Sequence, residues 1–296
     1  MRACMRVTAL FLAAAGANGC TLRVVDAVSK RAVVLVGTMH YNPASVELAG
    51  STVRCVAKQE ALHAVAIELC ESRWDTSAAA KWSRKPSFKR FMSEDEFQVA
   101  FEAAIDCGLQ DVVLADQDIR VTGERLLAAL LQTCRDCVTP SGWRRVSADV
   151  GAAMDQIPSF LRSTSTPRLI SGVPIAFCRY LYQSPAALPF LAISSGALVV
   201  AAAIDEVTGA LPAVEDALVT AAVAMTVGRA VYVSLIDERN RVLARNIRTS
   251  CLASHAEGQG AVGDDKCQGS DGVVVAIIGM AHLQGVRLAL LTDDTV

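Results

Sequence analysis

A chain of 296 residues with 52% hydrophobic and 20% charged content can bury a sizeable core, which excludes an intrinsically disordered polymer. A formal net charge of -2 gives no excess of Lys and Arg to release counterions from a phosphate backbone, so nucleic acid is not an expected partner. Ten cysteines at irregular spacing leave the redox compartment open, because a core of this size needs no disulfide staples.

Residues 1–20 place Arg2 and Arg6 ahead of an apolar run and then the small residues Gly16, Ala17 and Gly19. That order suits a secretory signal. The lack of any acidic residue before Asp26 also suits a transit peptide, and a buried N-terminal helix fits the same residues. The first two readings imply the secretory pathway or a membrane-associated organelle, mitochondrial or endomembrane.

Beyond them, residues 21–296 read as one α/β domain. Apolar, β-branched runs at 32–37, 64–69, 111–115 and 272–279 are expected strands, each ending in polar residues. Between the first two, residues 45–62 repeat Val46, Leu48, Val53 and Val56 at roughly helical spacing, with Pro43 near the start. Residues 94–107 do the same with Phe97, Phe101, Ala104 and Ile105, and Gly108 follows as a stop. The pattern predicts a mainly parallel sheet with crossover helices, whose strand C-terminal ends share one edge, where open α/β sheets bind ligands.

Residues 122–137 predict an amphipathic helix whose buried stripe is Leu126, Leu127, Leu130, Leu131 and Cys134. A hydrophobic helical insert then occupies about residues 140–214. Within it, residues 186–204 are uncharged and just reach the length of a membrane span. Pro189, Ser194, Ser195 and Gly196 suit a buried helical hairpin instead, and both readings stand. A long helix over 219–249 and a polar, Gly-rich loop over 254–271 complete the chain before the last strand.

Two of the four histidines close similar motifs, VGTMH at His40 and IGMAH at His282. Each follows a strand, with a glycine expected to let the backbone turn sharply. Two imidazoles at one sheet edge could face one cleft as metal ligands or proton shuttles. Glu68, at the end of AVAIE, would be costly to bury without a cation, metal or donor, which makes it the acid/base or ligand candidate. Glu71 and Arg73 follow in a turn, and Cys70 reads as a buried thiol. Asp116 and Arg120 follow the third strand, where Arg120 could fix a carboxylate or phosphate, or the two could form an ion pair that only closes the loop. Glu238 and Arg239 begin a charged run that is a solvated helix face unless it points at the sheet edge. His63, His255 and the Cys134/Cys137 pair read as structural. There is no dinucleotide fingerprint, P-loop, His-Glu-x-x-His or nucleophile elbow.

In order, LVGTMH, AIELCESR, LADQDIR, LIDERNRVLA and IIGMAHLQGV resemble the motifs of the TraB family, which includes bacterial pheromone-shutdown proteins and eukaryotic TraB-domain proteins of mitochondria and endomembranes. The family is similar to a wider clan of Tiki-type proteases, erythromycin-esterase-like enzymes and haem-binding ChaN-like proteins. The resemblance implies that His40, Glu68 and His282 form a divalent-metal or acid/base centre with Arg73, Arg120 and Arg239 as supporting cations. Asn240 and Val242 depart from the family's Glu-Arg-Asp-aromatic pattern. The expected function is therefore a metal-assisted hydrolase, peptidase-like, with a site at the strand C-terminal edge. The alternative is a non-catalytic, membrane-associated regulatory or tethering module that binds a peptide or partner protein, using residues 186–204. A third expectation is haem capture through a histidine.

Overall fold

The computed structural model describes residues 20–77, 87–164, 167–183, 225–226, 228–253 and 272–293. Residues 1–19, the 186–204 segment, the 254–271 loop with His255, and the start of the expected long helix at 219–224 lie outside the described residues.

The sheet is mixed and mostly parallel. Its strands are β1 (Thr21–Val25), β2 (Ala32–Thr38), β3 (Ala61–Ile67), β4 (Val113–Leu114) and β5 (Gly272–Gly279), in the spatial order β1-β2-β5-β3-β4. β1 pairs antiparallel with β2, and the other neighbours are parallel. The last strand in sequence is therefore the central one, between β2 and β3.

Alternation along the strands sorts the core into two faces. Val34, Val36, Val65, Ile67, Val275 and Ile277 point to one side, where α1 (Pro43–Gln59) and α4 (Glu96–Asp106) pack with Val53, Val56, Ala100 and Ala104. Val33, Leu35, Ala66, Val274, Ala276 and Ile278 point to the other, against Leu243, Ile247, Val286 and Leu290. Those last four belong to α8 (Glu238–Leu252) and α9 (Leu283–Leu291). Both faces of β5 are thus covered, as its unbroken apolar run requires.

Local chemistry sets the helix ends. Asn42 caps α1 by accepting from the Ala44 amide, and Pro43 occupies the first helical position, where its missing N–H costs nothing. Asp95 caps α4 through the Gln98 amide. Gly108 takes φ +93° just past its end, as the sequence predicts. Short helices α2 (Glu71–Ser77) and α3 (Phe88–Ser93) lie between β3 and α4.

The expected insert begins with α6 (Pro140–Thr164) and α7 (Pro167–Gln183), following α5 (Ile119–Cys137). The stripe expected to bury α5 does not do so. Leu127 is 61% and Leu131 55% exposed, and α5 instead buries Thr133 and Asp136. Among the described residues, no helix is long and apolar enough to cross a membrane.

Candidate functional site

Parallel pairing brings the ends of β2, β5 and β3 side by side, with Thr38 opposite Gly279 and Ile67 opposite Ile277. The chain leaves β2 through Met39, His40 and Tyr41, which takes φ +61°, before Asn42 starts α1. After β5, the His282 amide bonds back to the Gly279 carbonyl at 2.9 Å, and His282 becomes the cap of α9. The β3 ladder runs on to the Glu68 amide, which donates to the Ile277 carbonyl at 3.1 Å. Beside it, the Asp116 amide donates to the Leu69 carbonyl at 3.2 Å, which extends the short β4 and brings Asp116 level with Glu68.

Gly279 is the meeting point. A Cβ built on it would lie 3.2 Å from Glu68 Oε2, 3.6 Å from His282 Cδ2 and 3.8 Å from His40 Nε2. Neither motif glycine has a positive φ, so the expected sharp turn is not their role. Gly279 leaves room for the Glu68 carboxylate, with the two imidazoles at ordinary contact distance, and Gly37 leaves room for Met280 and Leu283, each 3.1 Å from a would-be Cβ.

Each side chain in this cluster is held from behind. Glu68, 3% exposed, accepts from the Gly279 amide through Oε2 and from Arg239 Nη2 through Oε1, both at 2.5 Å. Arg239 also grips Asp116, through Nε at 3.0 Å and Nη2 at 2.7 Å. Arg73 closes the network on Asp116 Oδ2 and on the Glu68 carbonyl. His40 Nδ1 lies 2.5 Å from Glu96 Oε1, and Glu96, fully buried, also accepts from Thr38 Oγ1 and the Tyr41 amide. His282 Nδ1 lies 2.8 Å from Asn240 Oδ1, and its Nε2 lies 3.4 Å from Glu68 Oε1.

These surroundings separate the two imidazoles. For His40, lost hydration opposes a charge, but the Glu96 carboxylate outweighs it, with smaller help from Glu68 and Asp95, and lifts the ring to about 9. For His282, burial dominates and pulls the imidazole below its ordinary value, Arg239 adding to the effect against Glu68. Burial also works to raise the Glu68 carboxyl, yet His282, Arg239, His40 and the Gly279 amide together bring it below the usual range. Near neutral pH the cluster therefore pairs a protonated His40 with a neutral His282 across an ionised Glu68.

Of the residues singled out in the sequence, the fold joins His40, Glu68, Arg73, Asp116, Arg239 and His282. Arg120 is exposed and does not join them, its backbone amide donating to Asp118 at the start of α5. Glu238 makes no hydrogen bond or ion pair with the cluster among the described residues. Arg73 and Arg239 clamp the two carboxylates. Cys70 is buried and near Ser72, and His63 bonds the Ser250 carbonyl, so both have structural partners.

The sequence reading missed Glu96 as the partner of His40. An acidic residue in the first turn of a helix reads as a favourable dipole contact, and nothing in SEDEF marks it for burial. Tyr232–Asp237, a π-helical stretch directly before α8, was also missed, although such wide turns recur at functional sites.

The donor types suit a divalent ion. Two imidazoles each anchored at Nδ1 by an oxygen, plus one carboxylate, match how proteins orient metal ligands. Their spacing does not, since among the described residues no group of three or more His, Cys, Asp or Glu is placed to hold an ion. No protein-family model matches the sequence, and no curated protein matches it.

Proposed function

We propose that this chain is a TraB-like hydrolase, of peptidase type, whose centre is His40, Glu68 and His282 at the C-terminal edge of the sheet. The convergence of these three side chains on Gly279, each braced by a separate partner, carries the reading. Neutral His282 is the base that takes a proton from water through Nε2. Half-exposed His40, protonated through its contact with Glu96, is the acid that hands a proton to the departing amine. Glu68 keeps water oriented between the rings, Arg239 helps to hold it ionised, and Arg239 and Arg73 clamp Asp116 beside it.

Cleavage of a mixed peptide library, followed by mass spectrometry, tests this. The wild-type protein is expected to cut peptide bonds, and His282→Ala to cut them at least about 100-fold more slowly, the usual size of one acid/base group. Equal cleavage by the two proteins would end the proposal.

A second reading, a non-catalytic module that tethers a membrane or partner protein, draws on α7. That helix leaves Ile170, Val173, Phe177 and Tyr180 exposed at helical spacing. It predicts that the protein floats with anionic vesicles and that Phe177→Asp with Ile170→Asp stays at the bottom of the gradient. No flotation of the wild type contradicts vesicle tethering.

A further inference from the structure

The two histidines are braced by different chemistry, a carboxylate behind His40 and a neutral amide behind His282. The amide is there because of a glycine. Asn240 is 3% exposed and lies one residue beyond Arg239 in α8, about 100° further round the helix, so it turns from Glu68 towards α9. On α9, Gly285 is three residues beyond His282 and shares its face. A Cβ on Gly285 would lie 1.9 Å from Asn240 Nδ2 and 2.5 Å from its Cγ, distances that no side chain tolerates. Any other residue at 285 would evict the amide.

Asn240 is placed there for one contact. Its Nδ2 is buried without a hydrogen-bond partner among the described residues, and its Oδ1 meets His282 Nδ1 at 2.8 Å. The other ring nitrogen is treated differently. Nε2 lies 3.4 Å from Glu68 Oε1, long for a charge-assisted bond, and Glu68 is already supplied with donors by Gly279 and Arg239. The short contact is to an acceptor, so the ring proton belongs on Nδ1.

We infer that Asn240, seated in the space left by Gly285, is a positioning residue that fixes His282 as the Nδ1–H tautomer with the Nε2 lone pair turned towards Glu68. This deepens the proposed role of His282, because only that tautomer can accept a proton or bind a cation through Nε2. It also accounts for two acceptors, Nε2 and Oε1, facing each other.

Ring tautomers are read directly by long-range proton–nitrogen correlation NMR of the full chain labelled with ¹⁵N-histidine, at a fixed pH of about 8. His282→Gln identifies the His282 signals by their loss. In the wild type, His282 is expected to show a protonated Nδ1 and an unprotonated Nε2. Asn240→Leu is expected to move the ring mainly to the Nε2–H form, Gly285→Ala to reproduce that change, and Asn240→Asp to keep the proton on Nδ1. An unchanged His40 signal in each variant shows that the sheet edge is folded. A wild-type Nε2–H ring, or an Nδ1–H ring that survives Asn240→Leu in the folded protein, overturns the inference. The readout does not involve turnover, so a failed peptidase assay with the expected tautomers would reject the hydrolase and leave the positioning role of Asn240 in place.

Discussion

Glu68 and Glu96 are both buried carboxylates, and each survives burial because its oxygens are met by donors rather than by water. What the second one does to His40 can be measured. An imidazole raised from about 6.5 to about 9 in the folded state binds its proton more tightly there than in the unfolded chain. Its contribution to stability is therefore complete below the unfolded value and lost as pH rises towards 9. Urea unfolding at intervals from pH 6 to 9.5 should show a decline in the wild type that His40→Gln lacks, and parallel curves would refute the pairing. The polar residues at this edge were legible because each follows an apolar strand, where a charge needs a reason. Their partners were not, since Glu96 is in the first turn of a helix and Asn240 is within the run DERNR, both of which read as solvated.

Elements were legible to the degree that periodicity reports burial. The continuous run of β5 and the helical spacing in α1 and α4 correspond to a two-sided core. β1 was missed because TLRVV forms only an antiparallel edge on β2 and leaves Val25 half exposed. In α5 the leucine stripe misled for the opposite reason. What α5 buries is an ion-pair junction, in which Asp136 meets Arg145 of α6 and lies 3.0 Å from Arg229, while Arg229 also bonds Asp149 at 2.7 Å and Thr133 at 2.9 Å. Removing one member of a buried pair leaves the other without its charge partner. Asp136→Ala should cost roughly 3 kcal/mol in chemical denaturation, the low end for such a break because Asp149 remains. A change within about 0.5 kcal/mol, as for an ordinary surface site, would show that the junction carries no stability.

At the scale of the whole molecule, the site exists because the last strand is inserted between the first two parallel ones. His40 leaves β2, Glu68 leaves β3, and neither motif can meet the other until β5 brings Gly279 and His282 between them. The sequence held the four strand ends and the α/β class, but not their spatial order, which depends on pairing between distant segments rather than on any local pattern. One measurement bears most directly on the joint action of these ends: the rate of peptide-bond cleavage by the wild type beside His40→Ala, His282→Ala and the double variant. A shared acid/base centre predicts that each single variant is slowed at least about 100-fold and that the double variant is little slower than either single one, as for residues that act as a unit. Losses that multiply in the double variant, or no loss in either single one, would contradict it.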